Sequence, residues 1–169
     1  MLKTIEERMN AMEARRSVLI DRVRAMDDAK QHVKPANGGF SPVEVIEHFA
    51  LMESFNADFL DRTPPETLTS EKTAIRMMGK MVLKGLKDPI KFMGNTLPAA
   101  VPKSSNIGIE TATVHWGAVR SRLRNHLQGV TDPDAAFIKM MWLFGTLSAN
   151  QYLDLLESHL DYHERRMPK

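Results

Sequence analysis

The sequence contains no cysteine. Disulfides, thiolate zinc sites and a cysteine nucleophile are therefore excluded, and a transition metal could be held only by histidine, carboxylate or water. Charge of one sign is also missing: 23 basic residues face 21 acidic ones, for a net charge of +2. With aromatics at only 7%, the chain lacks the basic, aromatic-studded stripe that nucleic-acid binding asks for. No apolar run approaches the roughly 20 residues of a membrane span. The opening MLKTIEERMNAMEARR is charged throughout and has no secretory apolar stretch, so a soluble, cytoplasmic protein is expected. There is no glycine-rich phosphate loop, no GxSxG elbow and no HExxH: His163-Glu164 runs on into Arg165, Arg166 and Met167.

Helical patterning dominates what remains. The 169 residues, 43% hydrophobic and 26% charged, suffice for a single domain over 1–169 with its own core. Ile5, Met9, Met12, Leu19, Val23 and Met26 recur at helical spacing and predict one helix over 3–33, closed by Lys34-Pro35 and Asn37-Gly38-Gly39. Ser41-Pro42-Val43-Glu44 is a capping box with proline at the first turn, opening a helix to about Asp61. Residues 66–92 read as helical, and 93–109, with Gly94, Pro98, Pro102 and Gly108, as a long connection. A third long helix is expected over 110–128, with Trp116, Val119, Leu123 and Leu127 inward, and a short helix over 134–143. Ser148 and Gln151 form a second capping box at the head of the last helix. No stretch alternates as a strand would, so the expected class is all-α, a bundle of four long helices. The methionines read as core filling and the charge runs as a solvated face.

Three histidines stand out on this frame. At about 100° per residue, Phe55 and Phe59 lie within about 20° of His48, which centres it on the apolar stripe of its helix. On the last helix, Tyr152 lies about 20° from His159, and Leu155 and His163 about 40° to either side. His159 and His163, four apart, can share one ion. Three inward imidazoles admit two readings: satisfied core residues, or ligands of one metal with an open position, as in catalytic zinc sites. His115 and His126 share a face of the third long helix and are competing candidates, whereas His32 reads as a surface residue at a helix end.

Around these histidines the sequence resembles the DinB-like superfamily. GGFSPVEVIEHFALMES is similar to the family's second-helix signature: an aromatic residue, serine, a small residue or proline, then the first metal histidine and an acidic residue, here Phe40, Ser41, Pro42, His48 and Glu53. LFGTLSANQYLDLLESHLDYHERR resembles the final helix, with Phe144 to Ser148 as its Phe-Gly-x-Leu-Ser and His159 and His163 as its histidine pair. Trp116 with Arg120 resembles the third helix. One departure follows His163, where the family often carries another polar ring or glutamine and this chain has Glu164, Arg165, Arg166 and Met167.

The resemblance implies an up-down-down-up four-helix bundle, with an extra short helix or long loop between its second and third helices, that pairs as a homodimer. It also implies one divalent metal, zinc or nickel, on His48, His159 and His163. Relatives of this kind include transferases that use low-molecular-weight thiols such as bacillithiol, mycothiol or glutathione. The expected function is a metal-dependent thiol S-transferase, or a related lyase or hydrolase, acting on a small-molecule substrate. Tyr152 would orient that substrate and Arg166, about 20° from the direction of His159, would anchor its negative charge. The alternative is a non-catalytic helical dimer with a structural or vacant histidine cluster.

Overall fold

A computed structural model of the chain describes residues 1–36, 39–63, 100–103, 107–140 and 145–168. Among these residues are five helices and one small antiparallel sheet: α1 (Lys3–Arg24), α2 (Asp28–Gln31), α3 (Pro42–Arg62), α4 (Ile109–Gln128), β1 (Ala136–Met140), β2 (Gly145–Ser148) and α5 (Ala149–Glu164). The helix expected over 66–92, and most of the connection over 93–109, lie outside the described residues. No described helix is long and apolar enough to cross a membrane.

Both long capping boxes form as their sequences require. Ser41 Oγ accepts from the Glu44 amide while Glu44 accepts from the Ser41 amide at 2.9 Å, and Ser148 and Gln151 repeat the exchange at the head of α5. The first helix is shorter than its pattern predicts. It stops at Arg24, and a separate turn of helix starts after Asp27. The stretch Asp27 to His32 carries no apolar residue at helical spacing that would reward a continued helix, and aspartate favours a helix start over an interior position. Gln31 folds its amide back onto the Met26 carbonyl at 3.1 Å and closes the corner.

Side-chain pairs fix the helix directions. Arg8 reaches Asp154 and Glu157, and seven residues on Arg15 reaches Asp161 and Glu164, so α1 and α5 run the same way. His115 meets Glu47, Arg120 meets Glu53, and Arg122 and His126 meet Asp61, so α3 and α4 are also parallel. Arg24 pairs with Glu110 and Arg124 with Asn10, which sets α4 antiparallel to α1.

Within the short helix expected over 134–143, Ala136–Met140 is a strand instead, and 141–143 lie outside the described residues. Ala136–Met140 pairs with Gly145–Ser148, and the register shifts between Ala136 and Ile138. That bulge hides the signal, because it lets the neighbouring Phe137 and Ile138 both enter the core where plain alternation would expose one of them. The core has two parts. Ile5, Met9, Met12, Leu60, Leu123, Leu127, Phe137 and Tyr152 belong to one. Leu19, Val23, Ile46, Phe49, Trp116 and Leu160 belong to the other, which flanks the histidines.

The buried face of α3 is centred away from His48. Phe49, Ala50, Glu53, Asn56, Ala57 and Leu60 are buried, whereas Phe55 and Phe59 are only half-buried. The large aromatics draw the sequence-derived stripe towards themselves, while the true centre is lined by small and polar side chains. His48 is buried but sits at the margin of this face.

Removing the second capping box tests this architecture. Ser148→Ala should destabilise the protein by about 1 kcal/mol, read as a lower urea midpoint at unchanged slope. An unchanged midpoint would mean that the start of α5 is held by the hairpin alone.

Candidate metal centre

His48 lies two turns into α3, and His159 and His163 lie in the last turns of α5. These two helices run antiparallel, so the three rings meet at one end of the molecule. His48 Nε2 is 3.1 Å from His159 Nε2, which is in turn 3.1 Å from His163 Nε2. One ligand nitrogen from each residue falls within 4.8 Å of the others. His48 and His163 are buried and His159 keeps part of its surface open.

Counting hydrogens shows what such a cluster needs. His48 Nδ1 lies 2.7 Å from the Ala100 carbonyl, which can only accept, so Nδ1 carries the hydrogen and Nε2 presents a lone pair. If His159 Nε2 donates, its single hydrogen is shared between two acceptors. If instead it accepts from His163, its lone pair faces that of His48. Neutral imidazoles thus always leave one contact without a proper hydrogen bond. A cation satisfies all of them: the two separations from His159, 3.1 Å each, are close to the roughly 3.3 Å between nitrogens around a tetrahedral ion with bonds of about 2.0–2.1 Å, and all three ligand atoms lie within 4.8 Å. The donor set therefore fits a divalent transition metal, and the Ala100 carbonyl is the outer partner that fixes the ligating tautomer.

Electrostatics favour the neutral, ligating form. Withdrawal from solvent pushes the His48 imidazole down to about 4, against the Ala100 hydrogen bond, which raises it. Burial is also the main reason that His159 and His163 fall well below the ordinary histidine range. The neighbouring histidines add to this, as do Arg120 at His159 and Arg166 at His163. Rings that stay neutral near pH 7 keep their lone pairs for a metal.

Aromatic side chains wall the centre. Phe40 lies 4.8 Å from the His48 ring, and Phe49 meets His159 and His163 edge-on at 4.9 and 5.1 Å. Behind Phe49, Trp116 stacks at 4.7 Å with its ring nearly parallel. Behind Trp116 lies the buried pair Glu53–Arg120, with Nη2 to Oε1 at 2.7 Å and Nε to Oε2 at 2.5 Å.

The other candidates go elsewhere. Tyr152 is fully buried in the core against Phe137, about two turns along α5 from His159. Burial, and then the Glu53 carboxylate, push its hydroxyl up. A side chain with no accessible surface does not meet the reading in which this hydroxyl orients a substrate. Arg166 is exposed, with its guanidinium 3.6 Å from the Tyr162 ring centroid and donating to the Tyr162 carbonyl. Tyr162 itself meets His163 edge-on at 5.1 Å, so Arg166 stands one ring away from the centre. His115 pairs with Glu47 and His126 with Asp61 on the α3–α4 seam, and neither joins the cluster. His32 caps the C-terminus of α2. The Ala100 carbonyl carries no side-chain signal, and Phe49 is masked in the sequence by its place beside His48 in the same helix.

The chain matches no family profile, no curated protein and no solved structure.

The pH dependence of the metal-free protein follows from the depressed histidines. Their pKa is lower folded than unfolded, so the unfolded chain takes up more protons below about pH 6.5. Stability is fully present above that pH and falls as the pH drops towards about 4, each unit of depression amounting to about 1.4 kcal/mol. Urea midpoints measured in chelator from pH 7.5 to 5 should show this loss, and His159→Leu should flatten it. An equal slope in that variant would place the dependence outside the cluster.

Proposed function

We propose that this chain is a DinB-like metal protein, an up-down-down-up four-helix bundle whose His48, His159 and His163 hold one divalent ion, zinc or nickel, for a thiol S-transferase or related lyase or hydrolase reaction. The convergence of three Nε2 atoms with too few hydrogens among them carries the reading. The helix directions support it, since α1 and α5 are parallel, as are α3 and α4, and the two pairs oppose each other.

The three histidines would hold the ion and, with no anionic ligand in the set, leave its full charge for the reaction. When bound, such an ion acts as a Lewis acid and lowers the pKa of a thiol or water placed on it. The Ala100 carbonyl keeps the His48 hydrogen on Nδ1, so that Nε2 points into the centre. Phe40 and Phe49 exclude water from two sides of the rings, which strengthens every charge interaction inside. Arg166, 3.6 Å from the Tyr162 ring centroid, supplies a positive group one ring away from His163. It would bind the negative charge of a small substrate or of a low-molecular-weight thiol. A homodimer belongs to the same reading, through the likeness at His48, His159 and His163.

Elemental analysis of protein purified without a histidine tag tests the reading. About one metal per chain is expected, with a thermal midpoint that falls on chelation because the ion binds only the folded state. His159→Ala should abolish stoichiometric metal. Metal retained in that variant would remove the histidines as the site. In a thiol panel with electrophilic substrates, Arg166→Ala should raise KM for anionic partners and leave kcat nearly unchanged.

A further inference from the structure

The ion pair behind the aromatic wall is a second, unusual burial of charge. Glu53 is 1% exposed and Arg120 is 3% exposed, and they meet through two contacts. A third charge, Glu13, stands 3.7 Å from Arg120 Nη1 and is partly exposed. Met12 Sδ lies at 3.9 Å from the same nitrogen, and the guanidinium sits 5.5 Å from the Trp116 ring centroid. From Arg120 the contacts run without a gap through Trp116 and Phe49 to His159 and His163. No water-like medium separates the arginine from the histidine cluster along that line, so its charge acts there with little screening.

A buried positive charge acting along this packed line disfavours a metal cation at the histidines. The site would be poor if Arg120 were unpaired. Pairing a buried arginine with a buried glutamate contributes little to stability on its own, and well-packed apolar replacements often do as well. The position of this pair, stacked behind the ligands, suits a different task.

We infer that Glu53 and Arg120 act as a charge-balanced pair for the three-histidine centre: Arg120 lies behind the Phe49–Trp116 wall, and Glu53 cancels its charge so that a divalent cation can bind. This rests on the reading that His48, His159 and His163 hold a metal. Neither residue would touch the ion. Burial, the largest cause, pushes the Glu53 carboxyl up, and Arg120 and Trp116 pull against it.

The test is zinc affinity by competition with a chromophoric chelator, on the full chain, for wild type, Glu53→Gln, Arg120→Met and the double variant. Glu53→Gln leaves the arginine uncompensated and should weaken zinc binding by about tenfold or more, as the loss of outer-shell partners does at other metal sites. The double variant removes both charges and should return affinity to within about threefold of wild type, even where its thermal stability does not recover. A purely structural pair would lower stability in all three variants and leave zinc affinity unchanged, and that result overturns the inference. Should Glu53→Gln fail to fold, the same titrations are run in trimethylamine N-oxide, which favours the compact state, and the same two outcomes decide. Wild type that binds no zinc or nickel would instead fail the metal reading itself, which is a separable outcome.

Discussion

Between His48, His159 and His163 there are two nitrogen contacts of 3.1 Å and, with one ring hydrogen committed to the Ala100 carbonyl, too few hydrogens to satisfy both. Much else at this end of the molecule follows from that shortage. The rings must be brought from two antiparallel helices at matching heights, which the paired capping boxes and the Arg8 and Arg15 contacts to α5 secure. They must also stay neutral, which burial among Phe40, Phe49 and one another achieves. Neutral donors converging without hydrogens are unfavourable in a closed core and well suited to a cation.

The site and the core make different demands on α3. A helix built only for packing would place Phe55 and Phe59 inward, yet these are half-buried, and the buried face sets Ala50, Glu53, Asn56 and Ala57 among Ile46, Phe49 and Leu60. Small residues let α3 lie close to its neighbours, and the polar ones commit it to specific partners on α4 and α5. Glu53 and Arg120 specify the α3–α4 register in a way apolar contacts do not, since an ion pair buried on both sides tolerates no slip. The seam continues outward through His115–Glu47 and Arg122 with Asp58 and Asp61.

Much of this was legible in the residues. Ser41 with Glu44 and Ser148 with Gln151 announce two helix starts to the residue, because a capping box is a local device that tertiary packing rarely overrides. The histidines on α3 and α5 were legible from helical spacing, although spacing does not say which faces meet across the bundle. What escaped was non-local or backbone-borne. The bulge at Phe137 broke the alternation that would have marked β1. The corner at Ala25–Asp27 left no proline or glycine to read. The Ala100 carbonyl has no signature at all. Tyr152 shared a direction with His159 but not a height, and direction alone could not tell a neighbour from a residue two turns away.

The partners in the centre are far apart along the chain: His48 and His159 are separated by 111 residues. In small zinc modules the ligands are neighbours in sequence, and the ion can gather an unfolded segment around itself. Here the loop between them takes in the rest of α3, all of α4 and the hairpin, and closing so long a loop is slow. On the proposed reading, loading would be a late event that follows completion of α5. A half-synthesised chain would offer an ion only His48 of the three rings, and selection of the metal would fall to the finished protein.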